Sequence, residues 1–261
     1  MLLTSHVLIT DAILLLVAIF AGALNSVAGG GSFLSFPALL FAGLPPIMAN
    51  ATNNAAMWVG TASSAGGYRE EVAKARRYLV AVAIVSAVGG IAGAVILLRT
   101  PSSVFTKLIP FLLLTATILF VVGPLLPRYA GGSTASHHGV QRPSLRAIIG
   151  QLAVGIYGGY FGAGMGFVML AMLVLEGFEN IHDMNGIKTF LSAIINGVAL
   201  IPFILARAIA WPEAVVMSLG AMLGGYLGAR VARRLPAPAV RRSVIAIACV
   251  LTAYFFYKTY A

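Results

Sequence analysis

Polarity along the chain alternates between long apolar runs and short polar interruptions. The runs fall at about residues 8–27, 32–45, 49–67, 78–98, 107–126, 146–160, 164–177, 184–205, 212–230 and 241–258. Most are long enough to cross a bilayer as helices. Those at 32–45 and 164–177 are not, because roughly fourteen residues make about 21 Å of helix against a hydrocarbon core of about 30 Å. The pattern predicts an all-α polytopic membrane protein of about ten transmembrane or half-spanning helices.

The interruptions carry the information. Gly29-Gly30-Gly31-Ser32 breaks a stretch that is otherwise apolar from Val7 to Leu44, and each glycine costs a helix interior about 1 kcal/mol against alanine. The helix should stop there and restart at Ser32. A break inside a membrane is tolerated only where the freed backbone groups meet protein, water or a ligand, and a restarting helix points amide donors at an anion. The run is no nucleotide loop: no strand precedes it, and no Gly-Lys-Ser/Thr is present. Close helix crossing is the competing use for such glycines, and the two uses are compatible.

The break recurs. Shifting the chain by 135 lays Gly29 and Gly31 on Gly164 and Gly166, Asn50 on Asn185, Gly89-Gly90 on Gly224-Gly225, and Pro101 on Pro236. Such an ungapped match marks an internal duplication. Gly89 and Gly93, like Gly224 and Gly228, form small-xxx-small faces suited to close helix packing. Loop charges then orient the halves, because Lys and Arg collect on the cytoplasmic side. With five crossings per half, Arg69, Lys74, Arg76 and Arg77 share a side with Arg128, Arg142 and Arg146 and with Arg230, Arg233, Arg234, Arg241 and Arg242. Arg99, Lys107, Arg207 and Lys258 lie opposite, a split of twelve to four. Four crossings per half give only nine to seven. The rule therefore favours two inverted five-helix repeats, 1–126 and 146–261, joined by a cytoplasmic linker at 127–145, with both termini outside. Inverted repeats are a common build for secondary transporters.

Composition agrees. The chain is 60% hydrophobic and 9% charged, with a mean hydropathy of +0.96, which is a membrane composition rather than a soluble one. The net charge of +10 sits in short loops, so it reads as topology and not as a nucleic-acid surface. Before the first run there is no basic n-region of a signal peptide, so that run is expected to be retained as a spanning helix. The single cysteine, Cys249, excludes an intramolecular disulfide or a thiolate metal cluster. His137 and His138 stand in a Gly/Ser-rich linker without companion ligands, so no metal and no cofactor are expected. Paired carboxylates, a His cluster or a nucleophile with a base at a suggestive spacing are all missing, which argues against an enzyme.

Polar residues inside apolar runs are the remaining candidates. Capping at the membrane surface needs one polar residue, yet Asn50, Thr52, Asn53 and Asn54 place four in five, suited to hydrogen bonding a solute or a neighbouring helix. Lys188 is the one basic residue well inside a predicted segment, and a charge there must pair, snorkel or serve transport. Its repeat mate is Asn53 and it is followed by Thr189, so polarity at this place exists in both halves. Glu176, Glu179 and Asp183 read as a solvated loop, from which one could pair with Lys188.

Ala28-Gly29-Gly30-Gly31-Ser32-Phe33, Phe36-Pro37, Gly43-Leu44-Pro45-Pro46 and Ala49-Asn50-Ala51-Thr52-Asn53 together resemble the first-repeat signature of the sulfite exporter TauE/SafE family of bacterial membrane transporters. Gly162-Ala163-Gly164-Met165-Gly166 and Asn185-Gly186-Ile187-Lys188-Thr189 resemble the partner repeat. The resemblance implies a permease that exports sulfite, sulfonates or related small anions across the inner membrane. On this reading a small anionic substrate would meet helix N-termini framed by Gly29, Gly30, Gly31, Ser32, Gly162, Gly164 and Gly166. Neutral hydrogen bonds would come from Asn50, Thr52, Asn53, Asn54, Asn185 and Thr189, and a single positive charge from Lys188. Alternating access is the expected mechanism, with an anion channel built on the same broken helices as the alternative. The lipid bilayer is the one further partner implied, and a homo-oligomer is compatible with the sequence.

Overall fold

The computed structural model describes residues 2–27, 30–122, 143–178, 180–231 and 237–260. Gly29 and most of the 127–145 linker, with Arg128, His137, His138 and Arg142, lie outside the described residues. Within them the chain is helical throughout and has no strand.

Leu2–Val27 forms α1, and the break at the glycine run separates it from α2, Ser32–Phe41. α3 is Pro46–Gly67, with proline at its first position, where the missing amide removes nothing the helix would use. A short α4, Arg69–Lys74, precedes α5, Arg76–Arg99, and α6, Ser102–Val122. The second half begins with α7, Leu145–Tyr160, followed by α8, Met165–Leu175, and α9, Ile181–Leu205. It ends with α10, Trp211–Val231, and α11, Ala237–Tyr260. By length and composition alone, α1, α5 and α9 each hold a stretch able to cross a membrane. The two short segments are confirmed as short: ten residues in α2 and eleven in α8 make about 15–17 Å of helix, half a bilayer.

Helix starts at Pro46, Arg76 and Ser102 recur at Ile181, Trp211 and Ala237, each 135 residues on. Packing recurs with the same shift. α1 packs chiefly on α10, its equivalent α7 packs chiefly on α5, and α3–α10 contact is answered by α5–α9 contact. Each half thus lends its first helix to the other half. Small residues make this possible. A Cβ on Gly89 would come within 2.8 Å of the Leu152 carbonyl oxygen, and one on Gly220 within 2.6 Å of the Leu15 carbonyl oxygen. Backbones this close use dispersion and weak polar contacts where lipid offers no hydrophobic gain.

The register gives the directions. Leu15 meets Gly220 and Ile19 meets Gly224, so α1 and α10 run parallel; Gly89 meets Leu152 and Gly93 meets Ile156, so α5 and α7 do too. The equivalent helices α3 and α9 run antiparallel. Thr52 Oγ1 accepts from the Ala210 amide at 3.0 Å, Asn54 donates to Asn196 at 3.3 Å, and Trp58 donates to the Ala193 carbonyl at 3.0 Å. α6 and α11 are antiparallel as well, with Thr117 and Thr252 hydroxyls 3.4 Å apart, Phe111 edge-on to Phe256, and Tyr260 bonded to the Lys107 carbonyl. Trp58 and Ala193, and Thr117 and Thr252, are each separated by 135 residues and meet their own equivalents.

The outer surface is apolar. Phe20, Ile84, Val215 and Val250 are all more than half exposed, a face that water would not support on this scale and that lipid does. Polarity is turned inward: Asn50, Thr52, Asn53, Gln151, Lys188 and Asn196 are buried.

Candidate functional site

Where α2, α3, α8 and α9 converge, flanked by α1 and α10, lies a cavity of about 840 Å³. At one end its wall includes Ser63 and Tyr226, the latter 58% exposed, and at the other Asn53 and Phe161, both buried. The exposed end is the one at which α3 finishes and α9 starts.

Lys188 enters from the second turn of α9. It is 5% exposed, and its ammonium donates to Asn185 Oδ1 at 2.9 Å, three residues back along the same helix. Helical side chains tilt toward the helix N-terminus, so this reach is the natural one. Gly166 makes room for the stem, since a Cβ there would approach Lys188 Cδ to 3.2 Å. An ammonium has three donors. Among the described residues one is used, by Asn185, and neither Glu176 nor Asp183 holds it; Glu179 lies outside the described residues. Glu176 instead accepts from the backbone and hydroxyl of Ser144, at the start of α7.

Across the cavity, Asn53 occupies the equivalent place on α3. Its Oδ1 accepts from the Ser35 hydroxyl at 2.5 Å, and that hydroxyl also lies 3.2 Å from the Gly31 carbonyl oxygen, so α2 and α3 are tied at the break. With its carbonyl so engaged, Asn53 has its amide donor to offer. Asn54 bonds Asn196, and Asn25 bonds Thr61 at 3.3 Å. All four line the cavity.

Of the residues expected at the site from the first half, the cavity gathers Ser32, Asn53 and Asn54. From the second half it gathers Gly162, Gly166, Asn185, Lys188 and Thr189. Gly30, Gly31, Gly164, Asn50 and Thr52 are buried away from it. Gly31 presses on α1, where a Cβ would run into the Ala21 carbonyl oxygen. Gly164 has φ +79° and lies on Ala116 of α6. Thr52 is used by the Ala210 amide, and Asn50 donates to the Tyr160 carbonyl at 3.0 Å. Gly31, Gly164, Asn50 and Thr52 thus join helices in this structure. Asn25, Thr61, Tyr68, Glu71, Ser192 and Asn196 line the cavity without having been expected. Asn196 could have been found, because it is the repeat equivalent of Thr61.

The buried end is closed by contacts between the halves. Besides the Asn50–Tyr160 bond, Phe36 stands edge-on to Phe161 with ring centroids 5.3 Å apart, and Phe105 edge-on to Tyr160 at 5.8 Å. Among the described residues, Asn50 Oδ1 is buried with no partner. The cavity therefore has a buried end and an exposed one, and its described lining carries one ammonium, Lys188, and one carboxylate, Glu71. The family model for the sulfite exporter TauE/SafE matches residues 14–255. The chain belongs to the TauE/SafE family. It is 30% identical over 241 residues to "Probable membrane transporter protein ORF9" of Sinorhizobium, covering 92% of this chain and 90% of that one. It is 29% identical over 250 residues to "Probable membrane transporter protein YfcA" of Escherichia coli K12, covering 95% and 90%. A "Probable membrane transporter protein" of Haemophilus influenzae is 29% identical over 249 residues, covering 94% of each. No solved structure matches the chain significantly. As a TauE/SafE member the protein is a multi-pass membrane transporter and not an enzyme.

Proposed function

We propose that the protein is a secondary transporter that exports sulfite, an organosulfonate or a related small anion across the bacterial inner membrane by alternating access. The observation that carries this reading is Lys188, a buried ammonium in a cavity with two donors to spare. A charge left so is costly, and a small anion that has shed its water would remove the cost for both partners. Thr189 follows it on α9, while Asn53, Asn54 and Asn196 line the same cavity further from its exposed end and would offer neutral hydrogen bonds along the path, with Ser32 at the restart of α2.

Two five-helix repeats, 1–126 and 146–261, with the 127–145 linker in the cytoplasm, form the scaffold in this reading. Antiparallel crossing of α3 with α9 and of α6 with α11 supports opposite orientations, since equivalent helices of parallel repeats would point the same way through the bilayer. The loop charges put the α3–α9 end, where the cavity is exposed, on the cytoplasmic side. The closed end is then the outward gate. One buried acceptor there, Asn50 Oδ1, is idle, which suits a closure that must open. A channel needs a continuous pore, and the aromatic closure at Phe36 and Phe161 favours a carrier.

Efflux from proteoliposomes loaded with sulfite, sulfate, sulfonates or carboxylates tests the reading. Saturable transport of sulfite or a sulfonate, with sulfate and carboxylates excluded or weak, is expected. Transport of none of these anions, or a rate far above carrier turnover without saturation, would sink it.

A further inference from the structure

The cavity holds one feature that the repeat does not explain. α4 follows α3, but the equivalent stretch after α9 is a tight turn through Ala206 and Arg207, the latter at φ 53°. α4 lies against the start of α9. There Gly186 has no side chain to keep it off: a Cβ would approach Glu71 Cβ to 2.8 Å and Tyr68 Cβ to 3.4 Å. Among the described residues, Glu71 is the one carboxylate that lines the cavity. Glu70 is exposed, and Glu176 is taken by Ser144.

Both charges of the cavity therefore depart from the duplication, and at the same place. The equivalents of Lys188 and Glu71 under the 135-residue shift are Asn53 and Ala206, both neutral. Lys188 reaches back to Asn185, and Glu71 seats on Gly186, the next residue. The ammonium and the carboxylate stem meet the same turn of α9.

We propose that Glu71 is an intramolecular counter-ion for Lys188, a tethered carboxylate that takes the ammonium whenever no substrate anion does. This rests on the transporter reading above. An alternating-access carrier must return empty, and an empty site would carry an unpaired ammonium through hydrocarbon, which is costly. A carboxylate on a short interfacial helix can swing onto the ammonium for that step and swing to water when an anion arrives. Substrate and Glu71 then exclude one another by charge and by space. Exchange of one anion for another never needs the empty carrier, so it never needs Glu71.

The full-length protein in proteoliposomes, with labelled sulfite inside, separates the two steps. Net efflux into sulfite-free buffer requires the empty return, and exchange against external sulfite does not. Glu71→Gln should slow net efflux by about tenfold or more while leaving exchange within about twofold, and should lower the sulfite concentration that half-saturates exchange. Glu71→Asp should recover part of the net rate, and Glu70→Gln, on the exposed side of the same helix, should change neither. Unchanged net efflux in Glu71→Gln overturns the proposal, as does an equal fall of efflux and exchange, which would mean that Glu71 only holds α4 in place. Lys188→Met separates this failure from a failure of the function itself. Full exchange by Lys188→Met removes the anion site, whereas its loss alongside a normal Glu71→Gln removes only the counter-ion.

Discussion

Asn53 and Lys188 occupy one position built twice. Each sits in the second turn of the third long-range element of its half, faces the same cavity and is served by a neighbouring glycine break. The neutral copy is locked: its carbonyl oxygen is held by Ser35, which also lies within reach of Gly31. The charged copy is loose, with a single bond to Asn185. The difference teaches that the duplicated scaffold provides a polar recess of no fixed charge, and that one substitution on one face gives it a sign. On the proposed reading, the neutral groups would shape the recess and the lysine would select the sign of the ion.

The largest effect should come from erasing that difference. Lys188→Met is expected to abolish anion transport while thermal unfolding in detergent stays close to wild type, because a buried charge is replaced by an apolar chain of similar length. Lys188→Arg keeps the charge but should lose most of the rate, since a planar guanidinium presents its donors in another geometry. Near wild-type transport by Lys188→Met would show that the lysine merely snorkels.

A second comparison sets the two glycine breaks against each other. Gly31→Val drives a branched side chain into the Ala21 carbonyl and should cost about 1–3 kcal/mol or more, seen as lost folded protein. Gly166→Ala meets only the flexible stem of Lys188. It should leave expression intact and raise the half-saturating anion concentration by severalfold, roughly 1 kcal/mol of displaced ammonium. If both variants lose protein alike, Gly166 is also a packing residue. The smallest effect belongs to Asn196→Ala, expected to weaken binding by roughly 1 kcal/mol, one neutral hydrogen bond, with no loss of maximal rate. Orientation has its own readout: cysteines placed at Ser136 and Lys258 should label from opposite sides of the membrane, and labelling from one side would favour parallel halves.

Much of this was legible before any coordinates. Apolar runs gave the helices to within a few residues, because a bilayer demands length and little else. The two short segments were visible for the same reason. Lys188 stood out since a charge inside an apolar run has few innocent explanations, and Asn53 and Asn54 followed from their density. The glycines are ambiguous. Gly31 and Gly164 look like ligand glycines because close approach of an anion and close approach of a helix both require the same missing Cβ, and the sequence does not say which neighbour arrives. α4 was invisible for another reason: six residues with mixed charge have no period to read, so nothing singles out Glu71. Asn50 and Thr52 read as hydrogen-bonding groups for a solute, but their partners in the structure, Tyr160 and Ala210, lie more than a hundred residues away and no local pattern names them.

The lending of α1 to α10 bears on how the chain is made. At about 5–20 residues per second, roughly 10–40 s separate the end of α1 at Val27 from the start of α10 at Trp211. Throughout that interval the first helix stands in lipid with its Gly22 groove uncovered, and α5 waits a shorter time for α7. A newborn first half is thus a set of open seams rather than a finished unit, a natural client for whatever shields half-built helices in the membrane. Its companion closes those seams in turn, first with α7 and later with α10.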